Sequence, residues 1–250
     1  MSAELNNDQA RIAAVVARIR HAQAERTAQH PHWVHPVQLL AVSKTMPVNA
    51  ILRVAAYGQL AFGENYVQEG VEKIQQIKQQ NPTLAAQLSW HFIGPIQSNK
   101  TRQIATHFDW VESIDRLKIA ERLSAQRPIE SPPLNILLQV NISAEATKSG
   151  FAPDEVAAAA AQIQALPRLR LRGLMAIPAP APNGQAQDAP HQAMRRLFDD
   201  LAAQYPSLDT LSLGMSEDLE AAILAGSTQV RIGSAIFGPR AAPPSVKETT

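Results

Sequence analysis

Not one of the 250 residues is cysteine. That absence excludes disulfides, thiolate metal sites and a cysteine nucleophile, and it fits a reducing compartment. Aromatic residues make up only 5% of the chain, and the formal net charge is +1 with no long basic block. A nucleic-acid surface needs clustered Lys and Arg with stacking rings, so no nucleic-acid partner is expected and small-molecule chemistry is. No span is long and apolar enough to cross a bilayer, so no membrane partner is expected either. The first twenty residues carry Glu4, Asp8, Arg11, Arg18 and Arg20 on an alanine-rich pattern. They read as an amphipathic helix rather than a signal peptide, which points to a cytoplasmic protein. A glycine-rich dinucleotide turn and a Walker-type phosphate loop are both missing, which weakens the case for a doubly wound open sheet.

What is present is an apolar fraction of 45%, enough to bury a sizeable core in one large α/β domain. After a first helix at 8–29 comes the loop His30-Pro31-His32-Trp33-Val34-His35-Pro36. Its three histidines stand among prolines with no carboxylate or cysteine beside them, so no metal site is expected there. From Leu39 onward a short apolar strand, a polar or glycine-bearing exit and a helical stretch recur. The strands are expected at 39–42, 60–65, 89–93, 110–114, 134–142, 169–177, 210–213 and 229–232. The helices between them are expected at 48–57, 66–80, 100–107, 116–126, 156–166, 190–204 and 217–225. Eight strands alternating with helices in about 250 residues predict a single (β/α)8 TIM-type barrel with an extra N-terminal helix and no second domain. It should span 1–240, with a flexible tail at 241–250. No long helix follows the eighth strand, and the N-terminal helix could cover that gap.

The first strand, Leu39-Leu40-Ala41-Val42, is apolar on both faces and delivers Lys44 to its end, just before Pro47 opens a helix. A lysine rooted among apolar residues loses hydration, which lowers its pKa from about 10.4 and makes a neutral amine accessible for Schiff-base formation. A lysine at a strand end can equally snorkel to solvent. In a barrel all strand exits meet at one mouth, which gathers Lys44, Glu64-Asn65, Gly94-Pro95, Asp115, Asn141, Met175, Met215-Ser216, Arg231, Gly233 and Ser234. The loops after strands seven and eight carry Gly214-Met215-Ser216 and Gly233-Ser234, small residues suited to a phosphate. Ser216 reads equally well as a helix N-cap, and Arg231 as a strand arginine paired with a carboxylate. His91, between Trp90 and Phe92, reads as a packed histidine with one satisfied nitrogen, and Tyr66 as a residue packed at a helix start. A Schiff-base lysine and a phosphate cradle at one mouth suggest pyridoxal phosphate, which offers both an aldehyde and a phosphate.

From about Leu39 to Gly238 the chain resembles the pyridoxal phosphate homeostasis proteins, a family whose fold is like the N-terminal barrel of alanine racemase. The resemblance is carried by Ala41-Val42-Ser43-Lys44-Thr45, Phe62-Gly63-Glu64-Asn65-Tyr66-Val67-Gln68-Glu69 and His91-Phe92-Ile93-Gly94-Pro95-Ile96-Gln97-Ser98-Asn99-Lys100. It continues through Val140-Asn141-Ile142, Lys148-Ser149-Gly150, Gly173-Leu174-Met175-Ala176-Ile177-Pro178, Leu213-Gly214-Met215-Ser216-Glu217-Asp218 and Val230-Arg231-Ile232-Gly233-Ser234-Ala235-Ile236-Phe237-Gly238.

The resemblance implies that Lys44 holds pyridoxal 5'-phosphate as a Schiff base, that Arg231 faces the ring nitrogen, and that Ser216, Gly233 and Ser234 hold the phosphate beside Met215. Asn65, Ile93 and Met175 would line the ring. Met46 stands where members often carry a second lysine, and Ser234 where threonine is usual. The implied role is to carry or buffer the cofactor within the cell and supply it to recipient apo-enzymes, with no established catalytic reaction; nothing in the sequence demands a dimer, so a monomer is expected. Alanine racemase takes a second acid/base, a tyrosine, from an added C-terminal domain for which this sequence leaves no room. A weak amino-acid racemase using the same cofactor is the alternative. A barrel aldolase whose lysine attacks a sugar phosphate is a third reading, for which no partner acid is evident.

Overall fold

The structure is a computed structural model that describes residues 2–33, 35–145, 148–178 and 188–238. Eight parallel strands close in sequence order into a barrel, with the last strand paired to the first. The strands are β1 (Gln38–Val42), β2 (Ala61–Glu64), β3 (Ser89–Phe92), β4 (Trp110–Ile114), β5 (Leu134–Gln139), β6 (Leu169–Met175), β7 (Thr210–Ser212) and β8 (Gln229–Ile232). The helices are α1 (Ser2–Gln29), α2 (Val48–Ala55), α3 (Val67–Gln80), α4 (Pro82–Ala85), α5 (Thr101–His107), α6 (Leu117–Gln126), α7 (Val156–Gln164), α8 (Asp188–Gln204), α9 (Leu219–Leu224) and α10 (Ser234–Phe237).

Each expected strand is present, and two of them, 110–114 and 229–232, have the bounds the apolar pattern gave them. The fifth stops three residues early. Beyond Gln139 the chain turns through Asn141, whose side chain donates to Glu145 O at 2.8 Å and accepts from Glu145 N at 3.2 Å. A polar residue satisfying its own loop in this way competes with the sheet ladder. The small helix α4 was not foreseen; Asn81 caps it by accepting from Leu84 N at 3.0 Å, with Pro82 just after the cap. The expected tail at 241–250 lies outside the described residues, as does most of the proline-rich loop after β6.

Strands buried on both faces read as near-continuous apolar runs, and here the outer face of the sheet and the inner faces of the helices form one apolar layer. Phe62, Phe92, Ile104, Ile114, Leu123 and Ile136 are among its fully buried members. The helix after β8 is only four residues long, and α1 packs against α9, α10 and α2 to complete the outer ring. Ile12, Val15, Ile19 and Ala22 recur at helical spacing on its buried face. Polar contacts fix its angle: Arg26 is buried and donates to Ser227 O at 2.8 Å and His35 O at 2.6 Å, and Arg53 pairs with Asp8 at 2.7 Å. In the loop after α1 the His30 ring stacks on Trp33 at 4.0 Å, and Arg195 of α8 lies 4.5 Å from the same Trp33 ring and 5.3 Å from that of Phe198 on its own helix.

Candidate functional site

Closure of the barrel is what brings the two ends of the site together. Leu40 pairs with Arg231 and Ala41 with Ile232, so the next residues up, Val42 and Gly233, leave the sheet side by side. At Gly233 a Cβ would lie 3.2 Å from Val42 O, which is tight. Just beyond, β1 ends in a turn in which Met46 N donates to Ser43 O at 3.0 Å. Lys44 is carried at the first corner of that turn, and Pro47 occupies the N-cap position of α2 with φ −71°. On the opposite side of Lys44's strand, β2 delivers Asn65. The exit of β3 passes so close that a Cβ at Gly94 would sit 2.1 Å from Asn65 O, so glycine is required there.

These exits enclose a cavity of about 320 Å³ lined by Lys44, Asn65, Ile93, Met215, Ser216, Arg231, Gly233 and Ser234, together with Val42, Ile177, Pro178, Glu217 and Asp218. An adjoining cavity of about 210 Å³ shares Asn65, Ile93 and Ile177, and adds Asp115, Asn141 and Lys148. Of the residues expected at the ring, Met175 is not part of the lining. It is fully buried in the barrel interior, in register with Gln139 and Ser212 below the mouth, and Ile177, two residues further on, reaches the rim instead. Tyr66 is more than half exposed at the start of α3 and lines neither cavity, so it is neither packed nor in the site.

Ser216 does not cap α9. Asp218 holds the N-cap position, and its Oδ1 accepts from Met215 N at 2.6 Å, folding residues 215–218 into a compact turn. Gly214 (φ 89°) lets that turn leave β7, and its carbonyl accepts from Arg231 N at 3.0 Å. Arg18 of α1 reaches the same loop, donating to Ser216 O at 3.2 Å while forking onto Glu220. Burial alone would raise the Asp218 carboxyl, but His191 at 3.4 Å, the Met215 N–H and the charge of Arg231 hold it below its ordinary range.

Arg231 is held from below. Its Nη1 donates to Ser212 O and Oγ, both at 2.7 Å, and its Nη2 to Ala176 O at 2.8 Å. Ser212 Oγ donates in turn to Glu112 Oε2 at 2.8 Å, while Gln229 Nε2 donates to Glu112 Oε1 at 2.7 Å. His91 Nδ1 lies 2.7 Å from the same Oε1, with its Nε2 at 3.2 Å from Ser89 Oγ. Burial would raise Glu112, but His91, Arg231 and Ser212 outweigh it and the carboxyl stays below its usual range. Burial lowers the Arg231 guanidinium against the pull of Glu112 and Asp218. Arg231 therefore meets its carboxylate through a serine rather than in a direct pair, and His91 has both nitrogens engaged inside the barrel.

The alanine racemase N-terminal domain model matches residues 11–241. The pyridoxal phosphate homeostasis protein of Vibrio cholerae is 59% identical over 204 residues, covering 82% of this chain and 86% of its own length. That of Escherichia coli strain K12 is 55% identical over 219 residues, covering 88% and 91%. The chain belongs to the pyridoxal phosphate homeostasis protein family. Among solved structures, PipY of Synechococcus elongatus with pyridoxal phosphate bound superposes with TM-score 0.72 at 34% identity, over 86% of this chain and all of that one. Alanine racemase from Corynebacterium glutamicum, at 18% identity and TM-score 0.62, shares the fold.

Sequence reasoning overlooked Val42, Ile177, Pro178, Glu217 and Asp218 as lining residues. Alternation along β1 places Val42 and Lys44 on the same side, and that signal was legible. Residue 177 could not be assigned to the rim without knowing that β6 ends at Met175.

Proposed function

We propose that this chain binds pyridoxal 5'-phosphate at the barrel mouth and carries or buffers it for recipient apo-enzymes, rather than turning over a substrate of its own. The carrying observation is that Lys44, Arg231 and the small-residue loops at Ser216 and Gly233-Ser234 line a single cavity. The donor set fits the cofactor: an amine, a guanidinium, two hydroxyls and a glycine backbone. Asn65 Oδ1 is buried without a hydrogen-bond partner at the same wall. When bound, the cofactor supplies an aldehyde that condenses with the Lys44 amine, releasing one water, and a phosphate anion for the loops.

The remaining roles belong to the chain's own residues. Ser216, Gly233 and Ser234 would hold the phosphate, with Met215, Ile93 and Asn65 against the ring. Arg231 would donate to the ring nitrogen. A guanidinium does not release its proton near neutrality, so that nitrogen stays unprotonated and the ring remains a weak electron sink. That restraint, and the names of the relatives at 55–59% identity, support a carrier over a racemase. None of the cavity-lining residues is a tyrosine. We further propose a cytoplasmic monomer; separately, among the described residues no helix is long and apolar enough to cross a membrane.

Borohydride reduction of the loaded protein followed by peptide mapping tests the attachment. The adduct is expected on Lys44, and Lys44→Ala should lose the reducible bond while keeping noncovalent affinity through the phosphate loops. An adduct on Lys100 or Lys148 would overturn the assignment. Steady turnover of free amino acids would replace the carrier with a racemase.

A further inference from the structure

The residues flanking Lys44 are both tied to one charge cluster, buried at Glu64 and Lys73 and half-buried at Glu69, that lies outside the cavity lining. Lys73 of α3 is almost fully buried, and its ammonium has three acceptors: Ser43 O at 2.7 Å, Glu64 Oε1 at 2.8 Å and Glu69 Oε1 at 2.5 Å. Ser43 Oγ donates to the same Glu64 oxygen at 2.5 Å. On the other flank Thr45 N donates to Glu69 Oε1 at 2.6 Å. Glu69 and Lys73 stand four apart on one face of α3, so a single helix grips the chain before and after Lys44.

What is gripped is a strained turn. Thr45 has φ 66°, one of two positive values among the described non-glycine residues, and it sits at the third position of the Ser43–Met46 turn, where such turns ordinarily carry Gly or Asn. A β-branched residue holds that conformation only where its surroundings over-determine it. Here they are Glu69 on its N–H and, through its own Oγ1, Lys44 O at 2.6 Å. Relaxing Thr45 would rotate the peptide plane that follows Lys44 and re-aim its side chain.

We propose that Glu64, Glu69 and Lys73 form a positioning clamp that holds the Ser43–Thr45 turn so that the Lys44 amine is presented to an aldehyde in the cavity. The clamp acts through the backbone, so it governs covalent attachment and leaves recognition of the ring and phosphate alone. It rests on the cofactor assignment above, and the two can fail separately.

Two ligands distinguish them: pyridoxal phosphate, which can bond to Lys44, and pyridoxamine phosphate, which has the same ring and phosphate but no aldehyde. Affinities of both, and the borohydride-trapped adduct measured by mass, are compared in wild type, Glu69→Ala and Glu69→Gln. Glu69→Ala should weaken pyridoxal phosphate by about tenfold, the scale of one relaxed backbone strain, and reduce the trapped adduct. Pyridoxamine phosphate affinity should hold. Glu69→Gln keeps the acceptor and should restore attachment. Glu69→Ala combined with Thr45→Gly should restore it too, since glycine takes the turn without strain. If Glu69→Ala does not fold, Glu69→Asp, which shortens the reach by one methylene, should show the same selective loss in smaller measure. Equal loss of both ligands, or no loss of either, would overturn the clamp. A wild type that binds neither ligand would overturn the cofactor assignment and the clamp with it.

Discussion

Glu64 and Glu112 are both completely buried, each next to a basic side chain, yet the two seams of the molecule treat them in opposite ways. On the barrel axis Glu112 has donors on both oxygens, from His91 and Gln229 on one and Ser212 on the other, and its carboxyl is held below the ordinary range. In the seam between β2 and α3, Glu64 receives Ser43 and Lys73 on Oε1 alone, while Oε2 is buried with no partner. Burial then prevails over the pull of Lys73, and Glu69 adds to it, so the Glu64 carboxyl is raised. The lesson is that a neighbouring cation does not by itself settle a buried carboxylate. At Glu112 the hydrogen bond and charge of His91 and the charge of Arg231 do most to overcome burial, with Ser212 adding last, whereas at Glu64 the like charge of Glu69 works against Lys73. The axis network is a finished support for Arg231, whereas the β2–α3 seam keeps an unspent acceptor behind Lys44.

The comparison can be broken most severely at Glu112. Glu112→Ala removes the carboxylate that His91, Ser212 and Gln229 share, one of the two that act on buried Arg231, and should cost about 3–5 kcal/mol in urea unfolding; a loss under about 1 kcal/mol would mean the axis network does not hold the barrel. Ser212→Ala removes the link between the two charges and should cost about 1–3 kcal/mol. In the loaded protein, nitrogen-15 NMR of labelled cofactor should report an unprotonated ring nitrogen in wild type, and a protonated signal at neutral pH would contradict the role given to Arg231. Glu64→Gln removes a partly satisfied carboxylate while Lys73 keeps Glu69, so its cost at pH 7 should stay below about 1 kcal/mol.

The smallest effect sharpens the comparison by its sign. Glu112 and Asp218 have depressed folded values, so their stability is present above the unfolded carboxylate pKa of about 4 and is lost as pH falls through the folded values. Glu64 is raised, so its protonated form favours folding. That contribution is present at acid pH and is lost as pH rises from about 4.3 through the folded value. The stability of wild type relative to Glu64→Gln should therefore be greater near pH 5 than at pH 7. Wild type relative to Glu112→Gln should be unchanged between pH 7 and pH 5 and lose its advantage only as pH falls below about 4, so urea midpoints near pH 7, 5 and 3 check both.

The sequence by itself determined the eight-strand alternation, because an apolar run ended by glycine, proline or a polar exit is a local pattern that needs no partner to be seen. It determined also that Lys44 ends a strand and that Gly233-Ser234 leaves one. Other outcomes depended on contacts between distant segments. Met175 and Ile177 exchange places at the mouth because the sheet register ends β6 two residues short of the rim. Ser216 loses the cap position because residues 215–218 fold into a turn, closed by Asp218 on the Met215 N–H, and α9 starts only at Leu219. Arg231 reaches Glu112 through Ser212, across 119 residues of chain, only because the barrel closes β8 onto β1 and β7. Lys73 of α3 is buried because Ser43 just past β1, Glu64 of β2 and Glu69 of its own helix converge on it. Periodicity records which side of an element is apolar. Which polar groups meet inside is set by strand register and closure, and those are properties of the assembled barrel.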